Sequence, residues 1–164
     1  MPNLLCYSRN RATSVEQVDE TTLASTCRLQ DSLTDAEVTI HIRLPELEIV
    51  DARGTFTRYS RKECAGAEKA LEKVKGVRIG AGMKKIIRGL VGEITGCSEI
   101  AVLVEECCHA VILAFTKEML TQVPEELAKE KDFFAKMVKE NIRLYNSCAA
   151  FAPGSPIVEG IDPP

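Results

Sequence analysis

The stretch AEVTIHIRL, Ala36–Leu44, alternates from end to end. Val38, Ile40, Ile42 and Leu44 fall on one side and Thr39, His41 and Arg43 on the other, which is the period of a half-buried strand with a polar outer face. Working outward, PELEIVDARGTFTRY (Pro45–Tyr59) carries Leu47, Ile49 and Phe56 as apolar markers, and TTLASTCRLQD (Thr21–Asp31) is a weaker strand candidate. Pro45 is expected to interrupt the pairing and Gly54 to mark a bulge or bend. The connections are short, so about three antiparallel strands in a meander are expected.

After Arg61 the period changes. AGAEKALEKVKG predicts a short helix closed by Gly76 in the left-handed cap position. MKKIIRGLVGEITG repeats the pattern with Ile86, Ile87, Leu90, Val91 and Ile94, weakened by Gly89 and Gly92. Thr95 or Ser98 can cap a long helix running to about Leu120. Pro124 starts a last helix with Leu127, Phe134, Val138 and Tyr145 on its apolar side. Strands first and helices second give an α+β class: an antiparallel sheet of about three or more strands, then helices packed on one face. A single domain over residues 1–152 and a C-terminal tail over 153–164 are expected.

The chain has 164 residues, 45% of them hydrophobic and 27% charged, ordinary values for a globular protein. A net charge of −3 without a basic block argues against nucleic acid as a partner. The opening MPNLLCYSRNRATSVEQ is too polar for a secretory leader, and the longest apolar stretch is broken by Glu105 and Glu106. No membrane partner and a cytoplasmic location are therefore expected. A homo-oligomer is compatible with the composition, and the identity of a small-molecule or protein partner is open.

Seven cysteines without paired spacings point to reduced thiols, most of them core filler. Three fall in TGCSEIAVLVEECCHA, Thr95–Ala110. Cys97 and Cys107 are ten residues apart, about 15 Å along a helix, so they cannot share one metal. Cys107 belongs to the apolar stripe Ile100, Leu103, Val104, Cys107, Val111, Ala114. Glu106 and His109 have the spacing of a di-iron helix, but the chain's only other histidine is His41 on a strand, so a surface pair with Glu105 or Glu106 is the expected reading. Cys97 stands between Gly96 and the first helical turn, a position suited either to a working thiol or to plugging a gap. Its partners would come from other elements: Cys64, Cys148, Cys27, His41 or Glu99.

LVGEITGCSEI (Leu90–Ile100) resembles the G-G-x-x-G-C-T-H-L motif of an uncharacterised bacterial family, a domain of unknown function. Gly92, Gly96 and Cys97 match, while Glu93, Ser98 and Glu99 stand for glycine, threonine and histidine. The likeness extends through TFTRYSRKEC to NSCAAFAPGSP. VTIHIRLPELEIVDARGTFTRY and GCSEIAVLVEECCHAVILAF are also similar, in order, to the strand region and later helix of NifU/IscU-type iron–sulfur scaffold proteins. That likeness implies a NifU/IscU-like topology, sets Cys97 on a cluster cysteine, and sets Cys64 on a second only after a shift; the third cysteine is missing, with Thr34 and Asp35 near its place.

Three functional expectations follow. The first is a thiol-centred site at Cys97 and Cys64, completed by Glu99, Cys148 or an outside group, holding zinc, iron or an iron–sulfur cluster. The second is a thiol enzyme with Cys97 as nucleophile, Arg88 or backbone N–H groups holding an anionic substrate and His41 as base. The third is a binding or assembly module in which every cysteine is structural.

Overall fold

A computed structural model of the protein describes residues 4–80, 82–92, 96–124, 126, 131–140, 144–146 and 148–161, the side chains at 63, 119, 120 and 131 excepted. Glu93, Ile94, Thr95 and Leu127, named above, lie outside the described residues. Met1–Ala114 form one compact unit and Phe115–Pro164 a second.

The first unit is built on one antiparallel sheet whose four strands lie side by side in chain order: β1 (Arg9–Asp19), β2 (Thr22–Asp31), β3 (Asp35–Arg43) and β4 (Glu48–Arg58). Leu23, Ser25, Cys27 and Leu29 of β2 meet Ile42, Ile40, Val38 and Ala36 of β3 across the ladder, and all eight are buried. This is the face that the alternation in Ala36–Leu44 defined. The four strands meet the expectation of about three or more, and β1 is the one for which the sequence offered no candidate. β1 contains only Ala12, Val15 and Val18 as apolar residues, of which Val15 packs on the core and Val18 is exposed. An edge strand that buries so little leaves no period-two signature.

Pro45 lies in the turn between β3 and β4, and pairing resumes at once with Glu48 opposite Arg43. Gly54 is no bulge. It pairs in register with Val38, and the ladder shifts instead between Asp35 and Ala36 and between His41 and Ile42. The reason for glycine is a close approach, since a Cβ at residue 54 would stand 2.7 Å from Leu71 Cδ1. Leu71 belongs to the short helix expected here, which is a 3₁₀ helix over Ala67–Val74. Gly76 then takes its positive φ of 85° and turns the chain back along β4, where Ile49 N–H donates to Val77 O (2.9 Å) and Ile79 N–H to Leu47 O (2.9 Å). The start of β4's outer edge is covered by this segment.

Helix α1 (Met83–Ile87) passes into a π-helical turn, Arg88–Gly92. The long helix α2 (Ser98–Gln122) follows. Its buried positions include Ile100, Leu103, Val104, Cys107 and Val111, the stripe predicted, although Cys108 and Ala101 are buried as well. Each fully buried aliphatic side chain of this kind contributes about 1.5–3 kcal/mol. The Ser25 hydroxyl donates to Cys107 O (2.9 Å) and the Cys107 thiol to Val38 O (3.5 Å), tying α2 to the middle of the sheet.

In the second unit α3 (Lys131–Glu140) supplies Val138, buried with Val158 and Ile161 and bordered by Ala135, Tyr145 and Phe151. Residues beyond 152 thus contribute core side chains to that unit.

Candidate functional site

The thiols divide by depth. Cys27, Cys107 and Cys108 are buried, Cys64 and Cys97 half-buried, Cys6 and Cys148 exposed. Burial pushes the Cys108 thiol up to about 12 and raises Cys107 further still, because the interior disfavours the charged form. These two are core residues that no reagent in neutral water meets as thiolates.

Cys97 caps the start of α2. Its N–H donates to Val91 O (2.7 Å) and its carbonyl accepts from Ala101 N–H (3.1 Å), so the chain doubles back from the π turn onto the helix. The two glycines around it serve that fold. A Cβ on Gly96 would overlap the Val91 carbonyl, and one on Gly92 would meet Ala101 Cβ at 3.1 Å. Glu99, one residue into α2, faces Arg9 at 3.3 Å.

Arg9 belongs to a polar network that the sequence did not reveal. Its Nε lies 2.7 Å from Asp31 Oδ2 and 2.8 Å from the Tyr7 hydroxyl, which also donates to Asp31 (2.9 Å). Asp31 has no exposed side-chain surface. Burial works against its charge, but N–H bonds from Leu33 and Thr34 (both 2.7 Å), with Tyr7 and Arg9, outweigh it and hold the carboxyl at about 2. Arg58 at the end of β4 donates to the Asp31 carbonyl. Glu99, Arg9, Asp31 and Arg58 thus form one chain of contacts across the end of the sheet, and Cys64 follows six residues after Arg58 in a 3₁₀ turn, Lys62–Cys64.

Among the described residues, no group of three or more His, Cys, Asp or Glu side chains is gathered to hold a metal ion. Of the four expected ligands, Glu99 is engaged by the Arg9 guanidinium, and Cys148 belongs to the second unit. The remaining parts of the thiol-enzyme expectation are placed elsewhere. Arg88 is held in a bidentate pair with buried Glu105 (2.6 and 3.0 Å) and cannot double as a free anion clamp. His41 points away from Ile40 and Ile42, so the sheet stands between it and α2; its nearest charged neighbour is Asp51 at 3.9 Å. Glu105 and Glu106, the expected surface partners of exposed His109, pair instead with Arg88 and Arg11.

Beside Cys64 the molecule is open. A cavity of about 370 Å³ lies between the end of β4 and the turn that follows it, lined by residues 54–56 and by Tyr59, Ala65, Gly66 and Glu68. Gly66, at φ 83°, turns the chain so that Ala65 and Glu68 face β4 from across the gap. A cavity of this size is within the range that takes a small molecule. In the sequence Phe56 was visible as an apolar marker and Tyr59 as a strand end. Glu68 was one of many helix glutamates, and only the glycine before its helix hinted at a special turn.

Sheet, capped helix and cavity together define an α+β domain with a small open pocket at one end of the sheet. The chain belongs to the family described as protein of unknown function, DUF2889, which matches residues 12–112. The match runs from β1 into α2 and includes Cys64, Cys97, Glu99 and the whole cavity lining, but not Cys148. No curated protein and no solved structure matches the chain. Among the described residues no helix is long and apolar enough to cross a membrane.

Proposed function

We propose that this domain is a binding module for a small molecule, with the cavity at the end of β4 as its site and its cysteines as structural residues. The observation that carries the reading is the contrast in occupancy by the protein's own groups. Arg9, Arg11 and Arg88 are each spent on an internal carboxylate, whereas the cavity of about 370 Å³ is walled by two aromatic rings and left open. Aromatic walls with few polar groups are the usual make-up of a ligand site. A screen of small fragments by amide chemical shifts tests it. Shifts confined to Thr55, Phe56, Tyr59, Gly66 and their neighbours are expected; a screen that moves only amides elsewhere overturns it.

A second reading keeps the thiols at the centre: Cys97 with Cys64 would hold a zinc ion or an iron–sulfur species, as the likeness to NifU/IscU-type scaffolds implies. What supports it is the chain of contacts from Glu99 through Arg9 and Asp31 to Arg58, which sets the start of α2 and the segment leading to Cys64 at the same end of the sheet. The donor set fits poorly, because Glu99 already has a cation beside it and a metal shell needs further ligands. Metal analysis of anaerobically purified protein separates the two. Near-stoichiometric zinc or iron that Cys97→Ser removes and Cys107→Ala retains would favour the thiol site; trace metal in all three proteins favours the pocket.

A further inference from the structure

We propose that the cavity takes a small organic cation, an amine or related ammonium compound, held by Glu68 and the rings of Phe56 and Tyr59. The inference rests on the binding-module reading and names its ligand class. Glu68 is the one charged side chain in the lining, and among the described residues it has no ion-pair partner. It is half-buried at the start of the 3₁₀ helix Ala67–Val74, so part of its hydration is lost without a protein cation to replace it. Lys69, whose Cε lies 3.9 Å from where a Cβ on Gly66 would stand, brings its ammonium end beside the rim but is exposed, makes no ion pair with Glu68 and is not part of the lining. A cation entering the cavity restores to Glu68 the partner that Asp31 finds in Arg9 and Glu105 in Arg88. Phe56 and Tyr59 also line the cavity, and aromatic rings attract a desolvated ammonium group. A bare metal ion is the wrong ligand for this site, because calcium or magnesium demands six or more oxygens and the lining offers a single carboxylate. The volume is also that of an organic molecule rather than of an ion.

The test uses the intact protein and three probes of one shape: benzylamine, benzyl alcohol and benzoate, titrated with amide chemical shifts as the readout. Benzylamine is expected to bind with shifts at Thr55, Tyr59 and Gly66, about tenfold more tightly than benzyl alcohol, with benzoate weakest. Glu68→Gln should erase that tenfold preference while leaving amide shifts away from the cavity unchanged. If benzyl alcohol or benzoate binds in the cavity as well as benzylamine does, the cation assignment falls and the pocket reading stands. If benzylamine binds there and Glu68→Gln leaves its preference intact, Glu68 is not the anchor and the assignment also falls. If none of the three moves these amides, both this inference and the pocket as binding site are overturned.

Discussion

The seam between the π turn and α2 and the rim at the end of β4 are both marked by glycine, and glycine serves opposite ends in them. At the seam, Gly96 lets backbone close on the Val91 carbonyl and Gly92 admits the Ala101 side chain, so no space is left; further along α2 the Ser25 hydroxyl and the Cys107 thiol are satisfied between helix and sheet. At the rim, Gly54 admits Leu71 to the core beneath, while Gly66 turns the chain outward and a cavity remains. Cysteine density in the sequence marks the closed region, and the open one contains no cysteine in its lining. In this fold the buried thiols of α2 serve packing, and the site proposed for binding lies where one lining carboxylate has no ion-pair partner among the described residues.

The comparison can be broken at its closed side first. Gly96→Ala should cost about 3 kcal/mol or more in chemical denaturation, because the added Cβ meets backbone that has no rotamer to escape into. A loss below about 0.5 kcal/mol, the level of an ordinary surface change, would show that the turn is not closed as described. Cys107→Ser should cost about 1–3 kcal/mol, since a more polar hydroxyl replaces a thiol at a fully buried position. The polar network between the two regions sharpens the contrast in acid. Asp31 holds its carboxylate to about 2 when folded against an ordinary 3.8, so the stability it gives is complete above 3.8 and is lost as pH falls through about 2. Asp31→Asn should be less stable than wild type at neutral pH, and the gap should narrow in acid melts. A gap of constant size would remove the charge from the explanation. At the rim, Cys64→Ser should change stability by less than about 0.5 kcal/mol, because a half-buried turn residue has little packing to lose.

Much of the first unit was legible because a buried face repeats. Val38, Ile40 and Ile42 announce β3, and Ile100, Leu103, Cys107 and Val111 announce α2. β1 was not legible, since only Val15 among its residues packs on the core. The reason for Gly54 was likewise hidden, because Leu71 comes from seventeen residues away and no local pattern encodes that approach. Cys97 was correctly singled out as the start of a helix, and the structure adds why the preceding residue is glycine. The site was the least readable part. Arg9, Asp31 and Glu99 join across β1, β2 and α2, and Glu68 meets Phe56 and Tyr59 only through the turn at Gly66. Such convergence depends on tertiary geometry, and spacing along the chain does not carry it.

Cys107 and Cys108 on α2 are sealed in the core, as Cys27 is on β2. Residue-resolved alkylation of the folded protein at neutral pH, followed by peptide mass spectrometry, tests it most directly. Cys6 and Cys148 should label first and Cys64 and Cys97 more slowly. Cys27, Cys107 and Cys108 should label only once denaturant unfolds the chain. Labelling of Cys107 or Cys108 at the rate of Cys148, with the protein still folded, would contradict the account.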